Sequence, residues 1–146
     1  MTVGFDPYVG QRFIWMKLIQ HLGLAADIGT DVYKDIVMGS PTKYILMTVV
    51  NAEDLMVVGA DKIWTNILWQ IEYWTRANDD GVVAIGAAMI HEALHKTSGT
   101  MAGSTYGSGL VYSTHRVRAL SLPPEVDGNT IWRRAGGEYR QLVQAT

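Results

Sequence analysis

Five consecutive residues, His91-Glu92-Ala93-Leu94-His95, match the H-E-x-x-H pattern of zinc peptidases. On a helix, two His four residues apart can share one zinc ion, while the Glu between them acts as general base toward a bound water. A catalytic zinc also needs a third protein ligand. The extended motif requires Gly and then His in the next turn and a half, but Thr97 and Ser98 stand near the Gly position and Met101 at the third-His position.

The other candidate ligands, His115 and Glu125, are distant in the sequence. The apolar face of the surrounding helix places the motif on its flank or its exposed side. That face consists of Val83, Ala87, Ile90 and Leu94. We therefore expect no catalytic residue, metal ligand or cofactor site here and no enzymatic activity, with a zinc peptidase as the weaker alternative.

The elements that would position these residues follow from hydrophobic periodicity and from turn residues. Helices are predicted from Asp6-Pro7 to Gly23 and over 82–96, and strands over 43–50, 62–75, 110–120 and 138–144, with a brief extension at 131–134. The remaining segments read as connections, with a possible short extended piece at 32–38. This order predicts an α+β fold, a four-stranded antiparallel sheet backed by two main helices, in a single domain over residues 1–146.

Composition excludes several classes of function. A net charge of -2 argues against nucleic-acid binding driven by bulk charge. The absence of Cys removes disulfides, thiolate metal sites and cysteine nucleophiles. Because the first ten residues lack a secretory pattern and no run of roughly 18 apolar residues occurs, we expect a soluble protein with no membrane association.

The predicted strand over 62–75 has an apolar face and a mixed face. Trp64, Leu68 and Trp74 alternate with polar residues on the mixed face. Since two helices can cover only one face of a sheet, we expect a neighbouring subunit to contact these three residues. The alternative is that segment 24–39 or segment 97–109 folds back over them.

Two further surfaces are candidates for contacts. The glycine-rich segment 96–109 has little intrinsic structure, and with Tyr106 it is a candidate arm toward a neighbouring protein. Five arginines near the carboxyl end form a candidate charged strip, facing a lumen or stabilising a ring. They are Arg116, Arg118, Arg133, Arg134 and Arg140.

Several segments from Ser40 onward, about two thirds of the chain, carry a family resemblance. They are Lys43-Tyr44-Ile45-Leu46, the run from Val58 to Thr65, the segment from Ala87 to His95, Asp127-Gly128, and the run from Trp132 to Arg140 with its Gly-Gly and Tyr-Arg pairs. In element order and in these residues the chain resembles the tail-terminator (tail-completion) proteins of the neck of long-tailed bacteriophages.

The resemblance implies a structural virion protein, assembled in the host cytoplasm, that forms a homohexameric ring. The ring would cap the tail tube protein below and meet a head-completion or connector protein above, and DNA would pass through its lumen without sequence-specific binding. It also implies that the segment from His91 to His95 is an ordinary amphipathic helix with no metal role. Another neck or head-completion protein of the virion and a small dimeric binding module are the alternatives.

Overall fold

The computed structural model describes residues 6–56, 62–102 and 108–145, and in those ranges the chain forms three helices and six strands. In chain order they are α1 (Asp6–Gln20), α2 (Leu22–Ile28), β1 (Val32–Lys34), β2 (Lys43–Met56), β3 (Lys62–Thr75), α3 (Asp80–Leu94), β4 (Thr97–Met101), β5 (Gly109–Asp127) and β6 (Thr130–Ala145).

The described strands form one mixed sheet in the order β1-β2-β3-β6-β5-β4. Every neighbouring pair is antiparallel except β1 and β2, which are parallel. The prediction of a four-stranded antiparallel sheet with two main helices is therefore wrong. The two added edge strands, β1 and β4, have three and five residues. Such short segments carry too little periodicity to be recognised in a sequence.

The predicted break between the extension at 131–134 and the strand over 138–144 is also wrong, and this stretch contains the pair Gly136-Gly137. Both glycines lie inside β6, which runs beside β3 without interruption. A Cβ at Gly136 would lie 1.9 Å from the carbonyl oxygen of Ile71, so only glycine fits where the two strands meet. A turn joins β5 to β6 between the paired residues Asp127 and Thr130, and Gly128 adopts a φ of 59° there.

The helices pack on one face of the sheet. There, Ile67, Trp69, Ile71 and Tyr73 of β3 are all buried, which confirms the predicted apolar face of this strand. The buried face of α3 is also close to the prediction, since Val83, Ile90 and Leu94 are buried. Helix α2 occupies part of the segment predicted as a loop, and the imidazole Nδ1 of His21 caps it by accepting a hydrogen bond from Leu24 N at 3.2 Å.

The sheet curls around α1. Val32 of β1 and Met101 of β4 belong to opposite edges of the sheet, yet they line the same cleft as Trp15 and Met16 of α1. The described part of the chain is thus a half-barrel with the helices on its concave side. The opposite, convex side of the sheet carries no helix in the described ranges, and we call it the open face.

Candidate functional site

The open face contains all three apolar residues that were predicted to meet another subunit. Trp64, Leu68 and Trp74 alternate along β3 with Thr65, Trp69 and Thr75, whose side chains are buried on the other side. No described helix covers the open face. The prediction that these three residues share a face opposite the helices is therefore confirmed as geometry, and their contact with another subunit stays a prediction.

Trp74 is covered by its own chain. It is only 7% exposed, because the ring of Tyr44 stacks on it at 5.8 Å and the ring of Trp132 approaches edge-on at 6.4 Å. The guanidinium of Arg134 lies 5.0 Å from the Trp74 ring centroid, and that of Arg76 lies 5.0 Å from the Trp132 ring. These contacts form a compact aromatic and cationic cluster at one end of the open face.

A cleft of about 560 Å³ lies against this cluster. Its walls include Tyr44 and Trp132, and Glu125 and Asp127 of the β5–β6 hairpin stand at its rim. Burial, with the nearby carboxylates of Glu125 and Glu72, raises the pKa of Tyr44 above its ordinary value. The cleft is thus an aromatic surface whose lining carries two carboxylates and the Arg76 guanidinium.

Two polar atoms beside the cleft lack hydrogen-bond partners. They are Nε1 of Trp74 and Oε2 of Glu72, and both side chains are more than nine-tenths buried. The other carboxylate oxygen of Glu72 accepts a hydrogen bond from Gln70, and Oε2 lies 3.7 Å from the Arg134 guanidinium. A buried carboxylate is retained in a fold only where charge or hydrogen bonds offset its desolvation. The Arg134 guanidinium therefore offsets part of the cost of burying the Glu72 carboxylate.

The other end of the open face is more polar. The ring of Trp64 meets that of Tyr112 edge-on at 5.0 Å, and both rings keep part of their surface exposed. Leu68 borders a small cavity of about 150 Å³ together with Glu53 and Arg140. This region combines exposed aromatic surface with both signs of charge, a composition typical of protein contact surfaces.

The five arginines of the predicted strip do not share one face. Pairing of β5 with β6 is confirmed, but side chains alternate along each strand and divide the set. Arg118, Arg134 and Arg140 lie on the open face, where Arg118 is ion-paired with Glu138 at 2.6 Å. Arg116 and Arg133 lie on the helix side.

The two helix-side arginines have separate partners. Arg133 bonds Asp80 and Asn78 at 2.9 Å each, at the beginning of α3. Burial first, and then nearby charges that include Arg116, lower the pKa of both His91 and His95. The strip is therefore divided into three open-face arginines and two helix-side arginines near α3. A role facing a lumen stays a prediction.

The H-E-x-x-H residues point in different directions. The rings of His91 and His95 stack at 4.5 Å, and Nδ1 of His95 accepts the backbone N–H of Arg116 at 3.1 Å. Glu92 is exposed and lies 3.5 Å from Nε2 of His21, away from the stacked rings. Within residues 6–56, 62–102 and 108–145, no group of three or more His, Cys, Asp or Glu side chains is placed to hold a metal ion.

Both imidazoles disfavour protonation. Burial lowers the pKa of His91, and the charges of Arg116 and His95 lower it further. The pKa of His95 is lowered by burial and then by Lys96, Arg116 and His115. The pair therefore packs as neutral rings near neutral pH, at the junction of α3 with β5.

Some residues that the sequence analysis singled out lie outside the part of the chain that the structure describes. Tyr106, the proposed arm residue, lies outside the described residues, as does the run 57–61 that leads into β3. Sequence reasoning did not select Tyr44, Trp132 and Tyr112, which complete the open-face clusters. The alternation that places Arg134 and Arg140 on one face of β6 also places Trp132 there, so the sequence contained a signal for this residue.

No helix in the described part of the chain is both long and apolar enough to span a bilayer.

Comparisons with known proteins identify the fold. No family model matches this chain, and no curated protein matches its sequence. The fold is similar to that of a chain in the solved structure described as "Virion of native gene transfer agent (GTA) particle", with a TM-score of 0.65 and 20% sequence identity. The match covers 97% of this chain and 98% of that chain, so the likeness extends over the whole fold.

Proposed function

We propose that this chain is a structural virion protein of a phage-like particle, a tail terminator that forms a ring, caps the tail tube and joins it to the head connector. The observation that carries the proposal is the end-to-end likeness of fold to a chain of the gene transfer agent particle, over 97% of this chain and 98% of that one. The resemblance in sequence pattern to tail terminators gives the proposal its finer form.

The open face supports a role in assembly. A sheet face without a helical layer, carrying Trp64, Leu68 and Arg140, is suited to pack against another protein. The partners proposed for it are further copies of this chain, the tail tube protein and the head-completion or connector protein. DNA passes through the ring by shape and charge alone, with no base contact and no chemical step.

A gene deletion in the particle-producing cell tests this role. Without the protein that joins the two, we expect filled heads and separate tails in electron micrographs, and restored particles when the gene is supplied from a plasmid. Joined particles of normal appearance in the deletion strain would contradict the proposal. Separation of heads and tails with the chain located elsewhere in the neck would favour the alternative, another neck or head-completion protein.

The zinc-peptidase alternative is tested by metal content and by one substitution. The stacked rings of His91 and His95 and the outward direction of Glu92 favour a packing role for the motif. We expect elemental analysis of the purified protein to give well below one zinc per chain, and Glu92→Gln to leave particle assembly unchanged. Stoichiometric zinc together with peptide hydrolysis that disappears in Glu92→Gln would establish the alternative.

A further inference from the structure

The outer strands of the sheet cover only part of the strands beside them. β1 pairs with β2 over residues 45–47, and β4 pairs with β5 over residues 109–114. Within the described ranges, no strand pairs with the outer edge of β2 over 48–56 or with the outer edge of β5 over 115–127. An unpaired edge presents a row of backbone donors and acceptors that can pair with another chain.

The free edge of β5 has definite ends. The backbone N–H of Arg116 is already bonded to Nδ1 of His95 at 3.1 Å. At the other end, Pro123 and Pro124 have no N–H and cannot extend a ladder. Six residues, 117–122, thus remain available on β5, opposite an available stretch of nine on β2.

The two free edges are complementary in direction. They lie on opposite sides of one sheet, so a contact between them is heterologous and repeats from copy to copy until a ring closes. In the order β2-β3-β6-β5 every neighbour is antiparallel, which makes β2 and β5 run in opposite directions. A β2 edge that meets the β5 edge of the next copy in a ring therefore forms an antiparallel ladder, the more stable kind.

The two edges are also complementary in charge. Glu53 is exposed on β2, and its register with Asn66 places it on the open face. Arg118 of β5, with 65% of its side chain exposed, lies on the same face through its pairing with Glu138. The guanidinium has five N–H donors, so an Arg118 that is bonded to Glu138 can still bind a second carboxylate.

Exposed apolar residues accompany these charges. Val50 and Leu55 on the β2 edge are 51% and 37% exposed, and Val117 on the β5 edge is 48% exposed. Both edges therefore present surface that a second strand would bury.

We propose that, within the ring of the proposed function on which this inference rests, copies of the chain join head to tail through antiparallel pairing of the β2 edge with the β5 edge of the next copy. Glu53 of one copy lies opposite Arg118 of the next. With the open-face residues aligned in this way, Ala52 lies opposite Ala119, and both side chains are small and exposed. Because the free segments lie at opposite ends of the sheet, successive copies are stepped along the strands, so the strands tilt relative to the ring axis.

Cysteine trapping tests this pairing directly, because the chain has no native Cys. In one chain, positions 52 and 119 are separated by three strand spacings across the sheet, about 14 Å, and by a further five residues along the strands. A disulfide needs Cα atoms within roughly 7 Å, so Ala52→Cys with Ala119→Cys can bond only between copies. After mild oxidation of concentrated protein and of assembled particles, we expect a ladder of covalent oligomers in a non-reducing gel.

Matched variants test the register of the β2–β5 pairing and the identity of the two edges that take part in it. Each single cysteine variant has one thiol per chain and can form at most a covalent dimer, and we expect little of that dimer, since neither edge pairs with itself. Ala52→Cys with Ser121→Cys moves one thiol two residues along the same face, and we expect a much weaker ladder from it. In the trapping background, Glu53→Arg or Arg118→Glu should lower the yield roughly fivefold through like charges. The two together should restore part of the yield, because Arg118→Glu also places a second carboxylate beside Glu138 of the same chain.

The outcomes separate this inference from the proposed function. Absence of a ladder in Ala52→Cys with Ala119→Cys, or a covalent dimer of equal yield from a single cysteine variant, would overturn the edge pairing. If head–tail joining still fails in the gene deletion, the structural role stands without this interface. A register-specific ladder with normal particles in the deletion would retain the edge pairing and overturn the proposed function.

Discussion

A methyl group added at Gly86 of α3 tests how the helical layer meets the sheet. Gly86 is buried, and a Cβ built there would lie 2.4, 2.5 and 2.6 Å from three ring carbons of Tyr73. The Tyr73 ring is 1% exposed, and its hydroxyl donates a hydrogen bond to the Asp27 carboxylate. The ring is therefore held at both ends, and either the helix or the strand must move to admit the methyl group.

The expected effect of Gly86→Ala follows from two opposing terms. Overpacking a well-packed core costs about 1–3 kcal/mol, and the upper end applies because the methyl group meets the fixed part of the ring. Replacing Gly by Ala inside a helix contributes about 1 kcal/mol in the other direction. The net prediction is a loss of about 2 kcal/mol in unfolding free energy, or roughly 4–8 °C in Tm for a chain of this size.

Urea unfolding followed by tryptophan fluorescence measures this change. Ala88→Gly, at an exposed position of the same helix, calibrates the propensity term and should cost about 1 kcal/mol. In a Tyr73→Val background the clash is removed, so Gly86→Ala should become neutral or stabilising. A higher Tm for Gly86→Ala in the native background would refute the close packing of α3 on Tyr73.

Three further predictions concern titration and the His pair. The pKa of His91 is lower in the folded state than the ordinary value of 6.5. As the pH drops below 6.5, the unfolded state therefore binds more protons than the folded state, and the free energy of unfolding should decrease. His91→Gln should give a shallower fall, measured by urea unfolding between pH 7 and roughly pH 5; an unchanged slope would count against the burial of this imidazole. Burial alone would raise the pKa of Asp27, but hydrogen bonds from Lys43 and Tyr73 and the charge of Lys43 outweigh burial, so the net pKa is lowered. The ionised Asp27 therefore contributes to folding stability above the ordinary pKa of 3.8, and this contribution is lost on further acidification. Asp27→Asn should lower stability at pH 7 and flatten the acid limb of the profile, and a parallel displacement of the whole curve would contradict this. Lys43→Met removes the ionic partner of Asp27, and we expect about 1 kcal/mol of destabilisation at pH 7 that disappears at low pH.

The sequence was informative where periodicity is long. The alternation of Ile67, Trp69 and Ile71 predicted the buried face of β3, and the spacing of Val83, Ile90 and Leu94 predicted that of α3. Both patterns continue for about fourteen residues. Over that length, the periodic spacing of apolar residues predicts which side of a strand or helix is buried.

Glycine and proline pairs were less reliable as predictors of where a strand ends. Gly136-Gly137 and Pro123-Pro124 are strong turn signals, yet both pairs lie inside long strands. The glycines are there because two backbones approach closely, and the prolines lie at a register shift on an outer edge. Whether such residues end a strand or adapt it depends on the neighbouring strand, which the local sequence does not specify.

The candidate site was predicted in part. The face of Trp64, Leu68 and Trp74 followed from alternation alone. The cover of Trp74 by Tyr44 and Trp132 did not, because it brings together strands that are distant in the sequence. The division of the arginines between two faces likewise required the register of β5 against β6.

The position of this chain in the assembled particle tests the central claim most directly. A cryo-electron microscopy reconstruction of the particle at the junction of head and tail should show a closed ring into which copies of this fold can be placed, at the end of the tail tube. The same map should show β2 of each copy beside β5 of the next. A junction built entirely of other proteins, with this chain absent from the particle, would contradict the account.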